Sequence, residues 1–205
     1  MEPREIILHT ARTAVALFVI MDPLGGVPIF AALLRGQTPP ERRRNVNVGV
    51  AVAALILMLF ATVGQPVLGL FGVGVPELLV AGGLMLVIIG LNEVFDFLGR
   101  NSSYRENLGV VPMACPLLAG PGAIVTVMLA VQRHPFPHNY LIALGSMVVA
   151  LGAAWLVVSQ TCRLMHLLGE RGAAVLSKLM GILATAIGTH FVLQGLADFW
   201  LTGRT

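Results

Sequence analysis

The stretch that decides the fold is IMDPLGGVPIFA, residues 20–31. It lies in an apolar segment, residues 14–34, that is long enough to cross a bilayer as a helix. The only charge of that segment is Asp22, close to its middle, and two prolines and two glycines follow it. A carboxylate and four helix-breaking residues are unfavourable at the centre of a membrane span, so we expect them to have a function.

The composition is that of a helical membrane protein. Of 205 residues, 57% are hydrophobic and 11% are charged, and the mean hydropathy is +0.87. Soluble domains carry about 25% charged residues, and a domain of this size cannot bury so much apolar sequence in one core. The apolar runs also lack the alternation that is typical of membrane strands. We therefore predict an all-α membrane protein with several spanning helices.

Apolar segments predict six transmembrane helices in a single transmembrane domain. The predicted spans are residues 14–34, 46–70, 78–98, 110–132, 140–161 and 174–201. The loops after the odd-numbered spans hold nine Lys and Arg residues, and the other side of the membrane holds four. Because positively charged loops stay in the cytoplasm, both termini are predicted to be periplasmic.

The second half of the chain repeats a proline pattern of the first half. Pro23 and Pro28 are five residues apart in span one, and Pro116 and Pro121 are five residues apart in span four. The offset between the two pairs is 93 residues. The matching positions predict that both spans are broken at the same depth.

A glycine pattern repeats in the same way. Gly83 and Gly90 are seven residues apart in span three, and Gly181 and Gly188 are seven apart in span six, at an offset of 98. Three spans in each half reverse the direction of the second half, so we predict two inverted three-helix repeats, about 1–105 and about 106–205. Chance is the alternative, because Gly and Pro are frequent in membrane helices.

Spans one and four are predicted to be discontinuous or re-entrant. Unpaired backbone groups in lipid cost several kcal/mol each, so a break must be buried in protein or line a wet cavity. The half-helix after each break offers free amides to a carboxylate, and the carbonyls before it can receive an ammonium group or a cation. A kink packed without any ligand would give the same pattern. The predicted substrate-binding residues are Asp22, Pro23, Gly25, Gly26, Pro28, Pro116, Ala119, Gly120, Pro121 and Gly122.

Three ionisable residues are candidates for coupling transport to an ion. Asp22 could bind a substrate ammonium, carry a proton, or only cap the half-helix that follows it. Glu93, which shares a helix face with Asp96, could relay protons or lie at a solvated helix end without a role. His190 could shuttle protons in span six, although a histidine that is hydrogen-bonded within a bundle is common.

The remaining sequence gives no sign of catalysis, metal binding or nucleic-acid binding. It contains no HExxH, P-loop or GxSxG motif, so no enzyme, cofactor or metal site is predicted. Cys115 and Cys162 lie in apolar segments and form no CxxC pair. The net charge of +3 is spread over loops without interleaved aromatic residues, so nucleic acid is not an expected partner.

Two stretches resemble a known family. MDPLGGVPIF in span one and PLLAGPGAI in span four are similar to the two conserved stretches of the MarC family of bacterial inner-membrane proteins, and the six-span pattern covers nearly the whole chain. The resemblance implies transport of small neutral amino acids such as glycine and alanine. It places the site at residues 22–28 and 116–122, where the backbone argument also places it.

Together these features predict a secondary transporter of small neutral amino acids in the bacterial inner membrane. The expected partners are a small zwitterionic amino acid, a coupling proton or sodium ion, and the lipid bilayer, and a homo-oligomer is compatible with the sequence. A membrane scaffold without transport activity and an efflux protein for drugs or metabolites are the alternatives. The low content of Trp and Tyr, two of each, argues against an aromatic drug-binding cavity.

Overall fold

A computed structural model of the chain describes residues 3–34, 36–95, 118–132 and 138–202. These residues form helices and contain no strand, which confirms the all-α fold class. The helices are α1 (Pro3–Met21), α2 (Val27–Leu33), α3 (Pro39–Leu70), α4 (Val75–Phe95), α5 (Pro121–Gln132), α6 (His138–Ser159) and α7 (Thr161–Thr202). Within the described ranges, four helices are long and apolar enough to cross a membrane, namely α3, α4, α6 and α7, and α5 is a shorter apolar helix.

The first predicted span is divided, as its prolines and glycines indicate. It corresponds to α1 and α2, which are separated by a turn at residues 22–26. The start of the fourth span, including Pro116, lies outside the described residues, and only its second half is seen, as α5. The six-helix inverted repeat therefore stays a prediction.

Several helices begin earlier than the apolar segments predict. Helix α1 begins at Pro3 rather than residue 14, and α3 begins at Pro39 rather than residue 46. The start of α3 is polar but well capped, because the Glu41 carboxylate accepts hydrogen bonds from the Thr38 amide and hydroxyl at 2.8 and 2.7 Å. Hydropathy marks the lipid-facing part of a helix, and these helices extend beyond it.

The last helix also begins before the predicted span six. Helix α7 begins at Thr161 rather than residue 174, and it is interrupted at Gly169, which has φ 64° and ψ 176°. Positive φ favours glycine, so Gly169 allows the chain to turn between the short first segment of α7 and the long second one. The predicted loop is therefore partly helical.

Helices α4 and α7 form the most extensive contact between two helices. They run antiparallel, because Gly83 lies against Gly188 and Gly90 lies against Gly181. A Cβ atom on Gly195 would similarly lie 2.6 Å from the carbonyl oxygen of Pro76, so the contact recurs every seven residues. Small residues at this spacing let two membrane helices approach until their backbones touch.

The other helices enclose a continuous apolar core. Most of its residues belong to α1, α3, α5 and α6, and Leu17, Leu57 and Ala154 are fully buried in it. The outer faces of the long helices are apolar too, and Leu55, Val148 and others are more than half exposed. An apolar exterior around an apolar core is typical of a helix bundle that is surrounded by lipid.

Candidate functional site

The break between α1 and α2 is formed by Asp22 in a left-handed backbone conformation. Its φ is 46°, and it is the one described residue other than glycine with a positive φ. Its amide still donates to the carbonyl oxygens of Phe18 and Val19, at 3.2 and 3.1 Å, so α1 ends directly before it. Aspartate is one of the few residues that adopt this conformation at moderate cost, because its short polar side chain can hydrogen-bond locally.

The Asp22 side chain closes the turn that follows. Its Oδ1 accepts a hydrogen bond from the Gly25 amide at 2.9 Å, and its carbonyl oxygen accepts one from the Gly26 amide at 3.0 Å. A Cβ atom on Gly25 would lie 2.7 Å from the Asp22 carboxyl carbon, so only glycine fits there without movement of the carboxylate. The Asp22 carboxylate therefore stabilises the turn before α2 and does not cap α2 itself, because Gly25 precedes Val27, the first residue of that helix.

The start of α5 is the second break, and it packs against the first. A Cβ atom on Gly122 would lie 2.7 Å from Leu86 Cδ1 in α4 and 2.9 Å from Ile20 Cγ2 in α1. Pro121 is the first helical residue and has no amide hydrogen, and the Ile124 amide donates to the Gly120 carbonyl oxygen at 3.1 Å. The amides of Gly122 and Ala123 in between belong to the first turn, where amides have no partner within the helix.

A cavity of about 70 Å³ lies where the two breaks meet. We call it the central cavity. Asp22 and Gly26 line it from the first break, Gly120, Pro121 and Gly122 line it from the second, and Glu93 lines it from α4. Its apolar wall consists of Ile20, Met21, Ile29, Leu86, Ile89 and Ala184. The structure therefore brings together two motifs that are about a hundred residues apart in the sequence.

The other predicted site residues lie around this cavity or away from it. Pro23 and Gly25 are buried in the turn, Pro28 belongs to the first turn of α2, and Ala119 is buried in the core. None of these four lines the central cavity. Pro116 lies outside the described residues.

His190, a coupling candidate, is not brought to the central cavity. It lies on an exposed part of α7, next to Thr189, whose hydroxyl donates to the carbonyl oxygen of Thr185. This face of α7 points away from the helices against which α7 packs. Asp96, which was paired with Glu93 on the basis of spacing, lies outside the described residues.

Glu93 has a partner that sequence spacing does not reveal. The Ser177 hydroxyl in α7 donates to Glu93 Oε2, and Ser177 is completely buried. The side chain of Glu93 also lies against Gly181, where a Cβ atom would be 2.7 Å from Glu93 Cβ. The close approach of α4 and α7 at the glycines thus holds this carboxylate beside the cavity.

The apolar wall of the cavity could have been found from helical spacing. Leu86, Ile89 and Glu93 are three and four residues apart, so they share one face of α4. Ser177 gave no such signal, because its contact with Glu93 joins positions 84 residues apart.

This arrangement can bind a small molecule that carries both charges. Two carboxylates, Asp22 and Glu93, face the cavity together with the amide end of the α5 helix. A helix N-terminus favours an anionic group, and carboxylates favour a cationic one. Within the described ranges, no group of three His, Cys, Asp or Glu side chains is placed to hold a metal ion.

The fold and the cavity define a helical integral membrane protein in which the turn after α1 and the start of α5 meet inside the bundle. The chain belongs to the MarC family of integral membrane proteins, whose family model matches residues 7–200. The family suggested by MDPLGGVPIF and PLLAGPGAI is thereby confirmed.

Relatives match about nine tenths of the chain or more. The inner membrane protein YhgN of Escherichia coli K12 is 32% identical over 194 residues, which is 93% of this chain and 96% of that protein. The membrane protein YhcE of the same strain is 30% identical over 89% of each chain, and a membrane protein of Pyrococcus abyssi is 30% identical over 94% and 96%. No solved structure matches the chain.

Proposed function

We propose that this protein is a secondary transporter of small neutral amino acids of the glycine and alanine type. The observation that carries the proposal is the central cavity, which Asp22 and Gly26 of one break share with Gly120 and Gly122 of the other. A pair of broken segments that meet inside a helix bundle is the arrangement in which secondary transporters bind substrate and coupling ions.

The size of the cavity favours a very small substrate. Its volume of about 70 Å³ is roughly twice the 30 Å³ that a water molecule occupies in the liquid. A substrate with a few non-hydrogen atoms fills such a space, whereas a drug-sized molecule needs at least about 300 Å³. The cavity therefore supports an amino acid of minimal side chain over the drug-efflux alternative.

The charges of the cavity give the substrate an orientation. The substrate carboxylate would accept hydrogen bonds from the first amides of α5, at Gly122 and Ala123. Its ammonium group would lie between the carboxylates of Asp22 and Glu93, or one of these would carry a coupling proton or face a sodium ion. Leu86 and Ile89 would exclude water from the bound substrate.

The proposal also includes the membrane in which the protein lies and the predicted inverted repeat. YhgN is an inner membrane protein, and we place this chain in the same kind of membrane with both termini periplasmic. In the predicted repeat, α2 corresponds to α5 and α4 corresponds to α7. Helix α2 packs on α7 and α5 packs on α4, so each packs on the last helix of the other repeat, as two inverted three-helix repeats require. Such a pseudo-twofold arrangement supports alternating access to one central site.

The proposal is tested by uptake of labelled glycine and alanine into proteoliposomes, with and without an imposed pH or sodium gradient. Asp22→Asn is the test variant, and Glu77→Gln is the control. Glu77 lies at the opposite end of α4 from Glu93, and its carboxylate accepts a hydrogen bond from the Gly74 amide at 3.0 Å. We expect saturable uptake that falls in the test variant and is retained in the control.

The outcomes separate the alternatives. Saturable uptake of glycine or alanine, competed by unlabelled substrate, supports the transporter. Folded protein that takes up neither amino acid under any gradient contradicts it and favours the scaffold. Uptake of a bulky aromatic cation in place of amino acids would favour drug efflux.

A further inference from the structure

A second cavity, of about 350 Å³, lies among the ends of helices and not at the break between α1 and α2. It is formed by the start of α3 and the junction between α6 and α7, and we call it the arginine cavity. Arg42, Arg43 and Arg163 line it, together with Trp155, Ser159 and Gln160. Its volume is within the range of about 300–1,000 Å³ that is typical of ligand sites.

The arginine cavity lacks the negative charge that its arginines need. Among the described residues that line it there is no Asp or Glu. The Nε atom of Arg42 is buried, and no described residue accepts a hydrogen bond from it. Glu41, the nearest carboxylate in the sequence, is engaged by Thr38. A buried donor without a partner is rare in native proteins, so Arg42 offers a hydrogen bond to an acceptor from outside the chain.

The three arginines of the cavity lie close to the starts of two helices. Arg42 and Arg43 lie in the first turns of α3, and Arg163 lies in the first turn of α7, two residues after Thr161. Guanidinium groups bind phosphate oxygens in pairs of parallel hydrogen bonds. The preferred ligand is therefore a phosphate group.

The surroundings favour a phosphate that is attached to a lipid. Trp155 donates from Nε1 to Asn47 Oδ1 at 2.7 Å, which joins α6 to α3 just inside the arginine cavity. Tryptophan at this position is typical of the boundary between lipid and water. Farther from the cavity, the same two helices expose apolar side chains, among them Leu55 in α3 and Val148 in α6. Acyl chains would have an apolar surface below a headgroup that is held by the arginines.

We propose that the arginine cavity binds the phosphate of an anionic phospholipid headgroup. Basic pockets between membrane helices on the cytoplasmic side commonly bind such headgroups. The proposal does not depend on transport, because none of the lining residues belongs to the central cavity.

The test compares thermal unfolding of the detergent-purified protein after addition of three ligands. These are vesicle lipid of phosphatidylcholine alone, phosphatidylcholine mixed with phosphatidylglycerol, and inorganic phosphate at matched ionic strength. We expect phosphatidylglycerol to raise the unfolding midpoint by about 5 °C or more over phosphatidylcholine at saturating lipid. Native mass spectrometry of the same samples should show retained phosphatidylglycerol.

Two double variants with equal charge change locate the effect. Arg42→Gln with Arg163→Gln removes two arginines from the arginine cavity. Arg44→Gln with Arg171→Gln removes two arginines that do not line it. We expect the first double variant to lose both the shift in midpoint and the retained lipid, and the second to keep them. If the first does not fold, Arg43→Gln replaces it, since Arg43 lines the cavity and is exposed.

The results distinguish the source of the phosphate and can overturn the proposal. A shift with phosphatidylglycerol alone supports a lipid headgroup, and an equal shift with inorganic phosphate supports the same arginine site with a soluble ligand. Equal losses in both double variants, or no shift in the unmodified protein, would overturn the proposal.

Discussion

Gly83 in α4 and Gly188 in α7 are in reciprocal backbone contact: a Cβ atom built on either residue would lie 2.6 Å from the carbonyl oxygen of the other. Gly90 and Gly181 form a second contact of the same kind, in which a Cβ atom on Gly181 would lie 2.7 Å from the Gly90 carbonyl oxygen. At the offset of 98 residues, Gly83 corresponds to Gly181 and Gly90 corresponds to Gly188, so exchanging the two halves of the chain converts the first pair into the second. The repeat in the sequence thus corresponds to a physical contact between the repeated glycines.

The first prediction concerns this glycine contact. Replacing Gly188 with Ala places a methyl group 2.6 Å from one backbone oxygen and 2.8 Å from the Val87 amide nitrogen, and neither backbone atom can move away independently. We expect Gly188→Ala to destabilise the protein by about 1–3 kcal/mol, as overpacking does in well-packed interiors. Thermal unfolding in detergent measures the effect.

Gly152→Ala is the matched control for Gly188→Ala. Gly152 lies within α6, and a Cβ atom there would meet no other atom within 4 Å. The control should unfold at the midpoint of the unmodified protein or above it, because alanine is the better helix former. Equal stability of Gly188→Ala and the control would contradict the close α4–α7 contact.

The sequence predicted the breaks well because their causes are local. Proline and glycine act on their own backbone, so the end of α1 before Asp22 and the start of α5 at Pro121 follow from residue type. The start of α3 was missed because hydropathy does not mark capping residues, although Thr38 and Glu41 have the spacing of a capping box. The capping-box rule, applied to residues 38–41, would have placed the start of α3 correctly.

The packing partners were not predictable, because membrane helices are apolar on every side. The pattern of α7 does not distinguish the face that packs on α4 from the face that meets lipid, so the exposed position of His190 could not be seen in the sequence. The contact of Ser177 with Glu93 depends in the same way on the angle and register of two helices. The glycines indicated that α4 and α7 each pack closely against a neighbour, but they did not identify the neighbouring helix.

A second prediction separates the structural role of Asp22 from its charge. In Asp22→Asn, the side-chain oxygen can still accept the hydrogen bond from Gly25, and asparagine tolerates positive φ. We expect this variant to keep its unfolding midpoint while the rate of amino acid uptake falls about tenfold or more, which corresponds to one lost charged hydrogen bond.

Asp22→Ala is the companion variant, and it removes both roles. It loses the hydrogen bond from Gly25 and places a residue with a Cβ, but no polar group, at φ 46°. The expected cost is about 1–3 kcal/mol of stability from the lost hydrogen bond and the backbone strain. If Asp22→Asn were as active as the unmodified protein, the side chain of Asp22 would only close the turn between α1 and α2.

A third prediction assigns Ser177 a positioning role. Ser177 does not line the central cavity, but its hydroxyl orients the carboxylate of Glu93, which does. We expect Ser177→Ala to lower uptake several-fold, and Ser177→Thr, which keeps the hydroxyl, to recover part of it. The KM for glycine should rise in Ser177→Ala, because one of the two carboxylates that face the ammonium group is no longer held in place.

Ser146→Ala is the control for Ser177→Ala. Both serines are completely buried, but the Ser146 hydroxyl donates to the Ala143 carbonyl oxygen of its own helix, at 2.8 Å. Its removal should leave uptake unchanged. A similar loss of uptake in both variants would mean that the effect of Ser177→Ala is one of general stability and not of the cavity.

The fourth prediction concerns the size of the substrate. Ile29 in α2 contributes to the apolar wall of the central cavity, and Ile29→Ala removes three carbon atoms from it. We expect the variant to accept valine or leucine, so that their uptake relative to glycine rises about tenfold, since one methylene group is worth about 1–3 kcal/mol of discrimination in an apolar pocket. Ile182→Ala is the control, because Ile182 in α7 is 56% exposed and does not line the cavity. An unchanged preference in Ile29→Ala, measured by competition with labelled glycine, would place the substrate outside the central cavity.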